Sequence, residues 1–173
     1  KNFEKSTILR PSIIYSVDDN FTTNFMTMLN LLPFFPIYYN GKTKFNPIHV
    51  SEILDIILYI IEKNINSEII ECVGSQEYSF KEILQKLLQL INKNKILVPI
   101  PLSIGKIMAR FFEIFPKPLL TMDQLKLLNY NNVLSGKYKS NFDIGLDSKL
   151  KFDEEVSKYC YMWKEGGEYS KKN

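Results

Sequence analysis

The chain contains 173 residues, and its 22 basic and 19 acidic side chains leave a net charge of +3. Hydrophobic residues form 45% of the sequence and charged residues 24%, which excludes a disordered chain and predicts a packed core. The basic residues are spread along the chain, so the charge does not indicate nucleic-acid binding. Cys72, Cys160 and the single histidine lie far apart in sequence. This spacing is not that of a metal site, and we expect a reducing compartment.

The beginning of the sequence carries no targeting signal. It starts without a methionine in the polar residues 1–5, and no long apolar segment follows. The longest apolar run, residues 31–39, contains Pro33 and Pro36 and is too short for a membrane helix. We therefore expect a soluble or peripheral protein whose sequence is cut from a longer one.

Hydrophobic periodicity predicts alternating strands and helices in the first half of the chain. Residues 7–15 are expected to form a short buried strand and the turn that leaves it. Residues 21–32 have helical spacing, and the Pro- and aromatic-rich connection after them ends in a turn at residues 40–41. Residues 45–50 are expected to be extended. The helix at 53–63 is apolar nearly all round, so we expect it to be sandwiched between two layers.

The second half continues the mixed pattern. The predicted strands cover residues 69–73 and 95–100, and the predicted helices cover residues 80–91, 104–115, 121–130 and 153–163. Ser79 with Glu82, and Thr121 with Gln124, have the spacing of capping boxes. The end of the chain, residues 166–173, is expected to fray.

The 104–115 helix carries an apolar stripe at residues Ile104, Ile107, Met108, Phe111, Phe112 and Phe115. Such a stripe usually packs on the protein's own core. Because Lys106 and Arg110 border it, contact with a membrane surface or a partner is the alternative.

No motif in the sequence forms a complete catalytic constellation. A Gly-rich phosphate loop, a zinc-protease helix and a Gly-flanked nucleophile are all missing. His49 has no second histidine with which to bind a metal ion or build a triad. It is expected either to be a hydrogen-bonded residue at a strand end or to line a ligand pocket.

Two segments carry a family resemblance. Residues 6–15 read S-T-I-L-R-P-S-I-I-Y, and residues 44–53 read K-F-N-P-I-H-V-S-E-I. Together they resemble the C-terminal part of the extended and atypical short-chain dehydrogenase/reductases, the NAD-dependent epimerase/dehydratase superfamily. Ser16 replaces the usual glycine of the first motif, and Glu52 stands where aspartate is usual in the second.

A closer resemblance lies in residues 112–125, F-E-I-F-P-K-P-L-L-T-M-D-Q-L. This stretch is similar to the nucleotide-binding accessory subunit of respiratory complex I and its bacterial relatives. Residues 78–84, 98–102 and 142–146 fit the same subfamily, so the resemblance extends over roughly residues 7–146.

The resemblance implies an α/β fold: the C-terminal portion of a Rossmann-like NAD(P)-binding fold, with its late parallel strands and a smaller, mostly helical cap. Residues 1–16 would complete the Rossmann-like sheet. Residues 17–134 would form a mixed substrate or cap region with strands returning to the sheet, and residues 135–173 a polar tail with a short helix. The Gly-rich loop and the catalytic Tyr and Lys would precede this chain.

The resemblance also implies a cofactor site. The nicotinamide end of NAD(P) would lie beside Pro11, Ser12 and Ile13, because the chain that leaves the carboxyl end of a parallel strand borders the ligand crevice. The favoured cofactor is NADP(H). The alternative is that Arg10 and Pro11 merely shape a buried turn.

Four further residues are candidates for the substrate side of the pocket: Phe25, Lys44, Phe45 and His49. Lys44 could pair with an anionic substrate or a phosphate, or it could simply be solvated beside the turn at Gly41.

The implied function is an NAD(P)-binding accessory or assembly subunit of a complex I-type NADH:quinone oxidoreductase, in which the nucleotide is structural and is not turned over. Its partners would be subunits of a respiratory complex, with peripheral membrane contact but without nucleic acid or metal. A bacterial protein would be cytoplasmic or at the inner membrane's cytoplasmic face, and a eukaryotic one on the mitochondrial matrix side. The alternatives are an active NAD(P)-dependent epimerase/dehydratase or reductase and a module that senses the redox state of a dinucleotide.

Overall fold

The computed structural model describes residues 5–114 and 120–170. The strands, in chain order, are β1 (Ile8–Pro11), β2 (Ile14–Tyr15), β3 (Phe34–Ile37), β4 (Lys44–Phe45), β5 (Ile48–His49), β6 (Ile69–Cys72), β7 (Tyr78–Ser79), β8 (Ile96–Pro99) and β9 (Lys139–Ser140). The helices are α1 (Thr22–Leu31), α2 (Val50–Glu62), α3 (Phe80–Leu90), α4 (Leu102–Phe112), α5 (Met122–Leu127) and α6 (Phe152–Ser157).

The strands β1, β6 and β9 form a parallel sheet in that order. β1 pairs with β6 from Ile8 opposite Ile69 to Pro11 opposite Cys72, and α2 lies between these two strands in sequence. Parallel neighbours connected through a helix form the repeating unit of Rossmann-like folds. β1 was expected to be buried, but Ile8 is 52% exposed. The strand lies at the edge of the described sheet, so nothing in the described residues pairs with its second side.

The described residues also form three two-stranded sheets. β2 pairs with β5 and β3 with β8 in parallel, whereas β4 pairs with β7 in antiparallel fashion. The interpretation of residues 33–40 as a connection was therefore wrong, because Phe34–Ile37 is a strand. Its alternating burial, with Phe35 and Ile37 inside and Phe34 outside, follows the pleat. Pro36 is tolerated because the sheet has only two strands, so one side of each strand needs no partner.

The largest hydrophobic cluster is centred on α3. Its apolar face is buried against α1 and α6, as the periodicity predicts, and Phe35 and Ile37 of β3 belong to the same cluster. The predicted capping box begins this helix: the Ser79 hydroxyl accepts a hydrogen bond from the Glu82 amide at 3.2 Å, and the Glu82 carboxylate accepts one from the Ser79 amide at 2.7 Å. The predicted box of Thr121 and Gln124 begins α5 in the same way.

α2 differs from its prediction. It buries Ile53, Ile56 and Ile60 on β1 and β6, but its opposite face, with Leu54, Leu58 and Ile61, is exposed. The described chain therefore supplies only one of the two layers that an all-round apolar helix requires.

α4 is also oriented differently from the expectation. It packs through its small residues, Gly105 and Ala109, against Tyr38 and Leu125. Ile104, Ile107 and Phe111 of the predicted core stripe are exposed. Phe115 and the prolines after it lie outside the described residues.

The end of the chain, as far as Ser170, is docked and not frayed. Trp163 donates a hydrogen bond through its indole N–H to the Thr27 hydroxyl at 2.8 Å, and the Asn30 amide donates to the carbonyl of Tyr169 at 2.8 Å. The rings of Trp163 and Tyr169 are 4.9 Å apart. Across the described parts of the chain, no helix is long and apolar enough to cross a membrane.

Candidate functional site

Ser12 occupies the centre of the predicted cofactor-binding segment, directly after β1. It is buried, and its amide donates to the Cys72 carbonyl at 2.9 Å. Its hydroxyl donates to the Asn132 carbonyl at 2.8 Å and accepts from the Asn46 amide at 3.1 Å. Ser12 therefore joins the carboxyl end of β1 to two loops that are distant in sequence, and its side chain is fully used in holding them.

The neighbouring strand ends against the same loop. After β6, the Gly74 amide donates to the Asn46 carbonyl at 3.1 Å. A Cβ atom at Gly74 would lie 1.8 Å from the Pro47 carbonyl oxygen, so only glycine fits this approach. These contacts lie where the carboxyl ends of β1 and β6 meet the loops, and not along an outer strand. We call this assembly of Ser12, Asn46, Pro47, Gly74 and Asn132 the closed edge of the sheet.

The predicted cofactor segment, residues 11–13, is partly exposed and partly buried. Pro11 is exposed, whereas Ile13 is half-buried and its carbonyl accepts from the Ile48 amide at 2.9 Å. The structure thus holds the backbone of Pro11, Ser12 and Ile13 rigidly at the carboxyl ends of parallel strands, where dinucleotides bind in such folds. These residues fit the role of a wall for the nicotinamide end. No Gly-rich loop that could cradle a pyrophosphate occurs in the sequence.

Two of the four substrate-side candidates pack inside the largest hydrophobic cluster. The Phe25 ring lies 5.3 Å from that of Phe80, and the Phe45 ring lies 6.3 Å from it. Both contacts have the edge-to-face geometry of core aromatic pairs. The structure therefore brings Phe25 and Phe45 together around Phe80.

The two polar candidates have partners of their own. The Lys44 ammonium pairs with the Glu77 carboxylate at 2.7 Å on the surface, and this contact raises the pKa of Lys44. The His49 Nδ1 accepts from the Ser51 amide at 3.3 Å and begins α2 as its N-cap. The Tyr15 ring lies 5.3 Å from the His49 ring. His49 therefore makes the hydrogen bonds expected of a structural histidine at a strand end.

Glu52 plays a role that the sequence did not reveal. Its carboxylate accepts from the Ser148 hydroxyl at 2.8 Å and from the Lys149 amide at 2.7 Å. A third bond comes from the Leu150 amide at 3.1 Å. The residue at the usual aspartate position of the motif thus fastens the polar tail to the beginning of α2. Only the departure from the motif could have drawn attention to it.

Burial shifts the pKa of a cysteine and of four tyrosines upward. Burial raises the pKa of the Cys72 thiol to about 11, so it stays protonated at neutral pH. Burial also raises the pKa of Tyr15, Tyr38, Tyr78 and Tyr159, which is the wrong direction for a tyrosine base. Among the described residues, no group of three or more His, Cys, Asp or Glu side chains could hold a metal ion.

Tyr59 and Lys63 have the Tyr-x-x-x-Lys spacing, although the catalytic Tyr and Lys were expected to precede this chain. The Lys63 ammonium lies 5.9 Å from the centre of the Tyr59 ring. Both are at the C-terminal end of α2, which leads to the amino end of β6. They are therefore at the opposite edge of the sheet from Pro11 and Ser12.

A mitochondrial NADH dehydrogenase subunit is among the proteins that this chain resembles. No family model matches the chain. The chain is 24% identical, in an alignment of 161 residues, to NADH dehydrogenase [ubiquinone] 1 alpha subcomplex subunit 9, mitochondrial, of Arabidopsis thaliana. The alignment covers 87% of this chain and 37% of that relative. The match confirms the relationship expected from the motifs.

Two of the solved structures that resemble this one are larger enzymes. A dTDP-glucose 4,6-dehydratase from Bacillus anthracis in complex with NAD has a TM-score of 0.61 and 14% identity, over 95% of this chain and 46% of its own. A UDP-glucose 4-epimerase from Thermotoga maritima with UDP-glucose has a TM-score of 0.58 and 13% identity, over 90% of this chain and 45% of its own. The fold class is therefore confirmed as the C-terminal portion of a Rossmann-like NAD-binding fold. The chain spans less than half the length of these relatives.

Proposed function

We propose that this chain forms the C-terminal part of an NAD(P)-binding accessory or assembly subunit of a complex I-type NADH:quinone oxidoreductase, in which the nucleotide stabilises the fold and is not turned over. The observation that carries the proposal is the alignment with a complex I subunit over 87% of the chain at 24% identity. The likeness to the epimerases and dehydratases is one of fold, at 13% and 14% identity in the two structures above.

Two surfaces of the described chain are uncovered, which supports the proposal that it belongs to a larger domain. The unpaired side of β1 offers a free row of backbone groups, and the exposed apolar face of α2 lies on the same unit of sheet and helix. A further parallel strand beside β1, with its crossover helix beside α2, would satisfy both. We propose that the nucleotide-cradling half of the protein occupies this position.

Within this domain, the closed edge has a holding role. Pro11, Ser12 and Ile13 present backbone to the nicotinamide end, with NADP(H) as the favoured cofactor, and the Ser12 hydrogen bonds keep that backbone in place. When bound, the cofactor could supply hydride chemistry. Burial raises the pKa of the Cys72 thiol and of the Tyr15 hydroxyl, so both stay protonated at neutral pH. Phe25, Lys44, Phe45 and His49 remain candidates for the substrate side.

The test uses the full-length protein. Isothermal titration with NAD⁺, NADH, NADP⁺ and NADPH is expected to show binding of a dinucleotide, and no change in nicotinamide absorbance is expected during prolonged incubation with the bound reduced form. Deletion of the protein in its organism is expected to lower the amount of assembled NADH:quinone oxidoreductase. A full-length protein that binds none of the four nucleotides would contradict the proposal.

An active epimerase or dehydratase is the second candidate, and the nucleotide-sugar enzymes among the structural relatives favour it. It predicts conversion of a nucleotide sugar by the purified full-length protein. An intact Tyr-x-x-x-Lys pair in the preceding sequence would also favour it, since Tyr59 and Lys63 lie at the wrong edge for this chemistry.

A further inference from the structure

α2 covers one face of the parallel sheet of β1, β6 and β9. Leu9 of β1 belongs to the hydrophobic cluster of this helix. Because side chains alternate along a strand, Ile8 and Arg10 lie on the opposite face, and both are exposed. We call this opposite side, with Ile8, Arg10, Glu71 and Tyr138, the second face of the sheet. Parallel sheets are covered on both faces in α/β proteins, so the second face is expected to meet a further layer.

Arg10 is stacked on an aromatic ring of the second face. Its guanidinium carbon lies 4.9 Å from the centre of the Tyr138 ring, and Tyr138 is 40% exposed. A cation above an aromatic ring is attracted by the negative face of that ring, so the contact holds the guanidinium in place. It leaves the N–H donors of the guanidinium for other partners.

The carboxylate opposite Arg10 in the sheet is used elsewhere. Glu71 is the cross-strand neighbour of Arg10, but it is buried, and its Oε2 accepts a hydrogen bond from the Ser135 amide at 2.8 Å. Within the described part of the chain, neither Arg10 nor the exposed Lys137 beside Tyr138 forms an ion pair. The second face therefore carries positive charge that this part of the chain does not neutralise.

We propose that Arg10, held on Tyr138, binds a carboxylate of the preceding half of the protein, carried by an aspartate or glutamate in the layer that covers the second face. A covered arginine needs a partner, because an unpaired charge is costly to bury. A carboxylate matches the fork of the guanidinium and accepts two of its hydrogen bonds. The proposal rests on the function proposed above in one respect, which is that a nucleotide-binding half lies beside β1.

The preceding half is the occupant that the surroundings favour. The second face adjoins the unpaired side of β1, and the matched part makes up only 45% and 46% of the two solved enzymes described above. A second copy of this chain would bring two Arg10 side chains together across a two-fold axis, which disfavours the contact.

A cofactor phosphate also fits less well. It would lie beyond the carboxyl ends of the strands. Tyr138 directly precedes Lys139, which is opposite Ile70 near the amino end of β6. The ring on which Arg10 stacks is therefore on the amino side of the sheet, away from the closed edge.

The variant Arg10→Lys of the full-length protein turns the contact into a chemical probe. A water-soluble carbodiimide joins an amine to a carboxylate in contact with it through an amide bond, and the reagent takes up the water that is lost and becomes a urea. Peptide mass spectrometry then identifies both residues. We expect a cross-link from position 10 to an aspartate or glutamate of the preceding half, absent from the unmodified protein. Lys139 and Glu68, whose charged atoms are 2.6 Å apart, are the internal positive control.

Denaturant unfolding of the full-length protein measures whether the pair contributes to stability. Arg10→Gln should raise the equilibrium constant of unfolding about tenfold or more, because it leaves the carboxylate covered without its partner. Arg110→Gln is the matched control, since Arg110 is the chain's other arginine and is exposed on α4, and it should leave this constant unchanged. Added to Arg10→Lys, Tyr138→Leu should lower the cross-link yield about two- to fivefold, whereas Tyr138→Phe keeps the ring and the yield.

Three results would overturn the proposal. The first is that position 10 gives no new cross-link, or one only to Glu71 or another carboxylate of these 173 residues, while the control pair reacts. The second is that Arg10→Gln is as stable as the unmodified protein. The third is that Arg10→Gln weakens dinucleotide binding but leaves stability without dinucleotide unchanged, since Arg10 would then serve the cofactor. Failure to bind any dinucleotide contradicts the proposed function instead and leaves the cross-link expected.

Discussion

The closed edge buries polar groups that are hydrogen-bonded within the chain, whereas the outward side of α4 exposes apolar side chains to solvent. At the closed edge, Ser12 and Gly74 meet the backbone of distant loops, and the hydrogen bonds of the Ser12 hydroxyl are made within the chain. On α4, small residues face inward and large apolar residues face solvent. Because a buried polar group is costly to leave unpaired and an exposed apolar stripe gains by being covered, the first region is suited to fixing a backbone and the second to making contact.

The largest expected effect comes from replacing Gly74 of the closed edge, compared with replacing Gly105 on the inward side of α4. Gly74→Ala should destabilise the full-length protein by about 3 kcal/mol or more, because the new Cβ would meet the rigid carbonyl of Pro47. Gly105→Ala should cost about 1–2 kcal/mol, since its Cβ would meet the Tyr38 ring, which can shift. Thermal and denaturant unfolding measure both. Equal losses at the two sites would remove the distinction between a rigid edge and an adaptable helix seat.

Ser12→Ala tests the closed edge by its hydrogen bonds. The change removes the donor to Asn132 and the acceptor for Asn46, so we expect a loss of about 1–3 kcal/mol. Dinucleotide affinity should fall as well, because the backbone of Pro11 to Ile13 is released. Ser157→Ala, at an exposed helix end, is the control and should cost about 0.5 kcal/mol or less. Unchanged stability in Ser12→Ala would show that the edge is held by other means.

Glu52→Gln tests how the polar tail is attached. All three donors, from Ser148, Lys149 and Leu150, reach the same carboxylate oxygen. The amide lacks the negative charge that strengthens these bonds, and its NH₂ group would face the His49 amide, which donates to the other oxygen at 3.4 Å, so we expect a loss of about 1–2 kcal/mol. Trypsin should cut faster after Lys149 and Lys151. The matched control is Glu62→Gln at the exposed end of the same helix, where the cleavage rate should not change.

The last expected effect is a pH dependence. The folded pKa of Cys72 is raised from 9.0 to about 11, so the folded state holds its proton more tightly than the unfolded state does. The stability from this group is complete below pH 9.0 and is lost as the pH rises toward about 11. Melting temperatures of the protein and of Cys72→Ala should therefore converge in this range. A constant difference between the two across the range would contradict the assignment.

Local signals in the sequence were sufficient for much of the fold. The capping boxes at Ser79 and Thr121 are read from short-range spacing, and both are present because their hydrogen bonds lie within one turn. The orientation of α4 could not be read in this way. Its stripe has a clear period, but the side that packs is chosen by the space beside Tyr38, which admits only Gly105 and Ala109.

The candidate site was predictable in position but not in construction. The motif at residues 6–15 indicated that Pro11, Ser12 and Ile13 leave a parallel strand, and they do. The partners of Ser12 come from residues 46 and 132, and such contacts between distant segments leave no local pattern. Glu52 is similar, because its three donors lie nearly one hundred residues further along the chain. The strand Phe34–Ile37 was missed because Pro33, just before it, and Pro36, within it, favour a connection.

The most direct test of the central claim is titration of the full-length protein with dinucleotides, compared with the same titration of the Ser12→Ala variant. The account predicts that the protein binds NAD(P), that the variant binds more weakly, and that neither oxidises the bound reduced cofactor. Absence of dinucleotide binding to the folded full-length protein would contradict the account. So would turnover of bound NADH or NADPH with a nucleotide sugar, which would assign the protein to the enzymes instead.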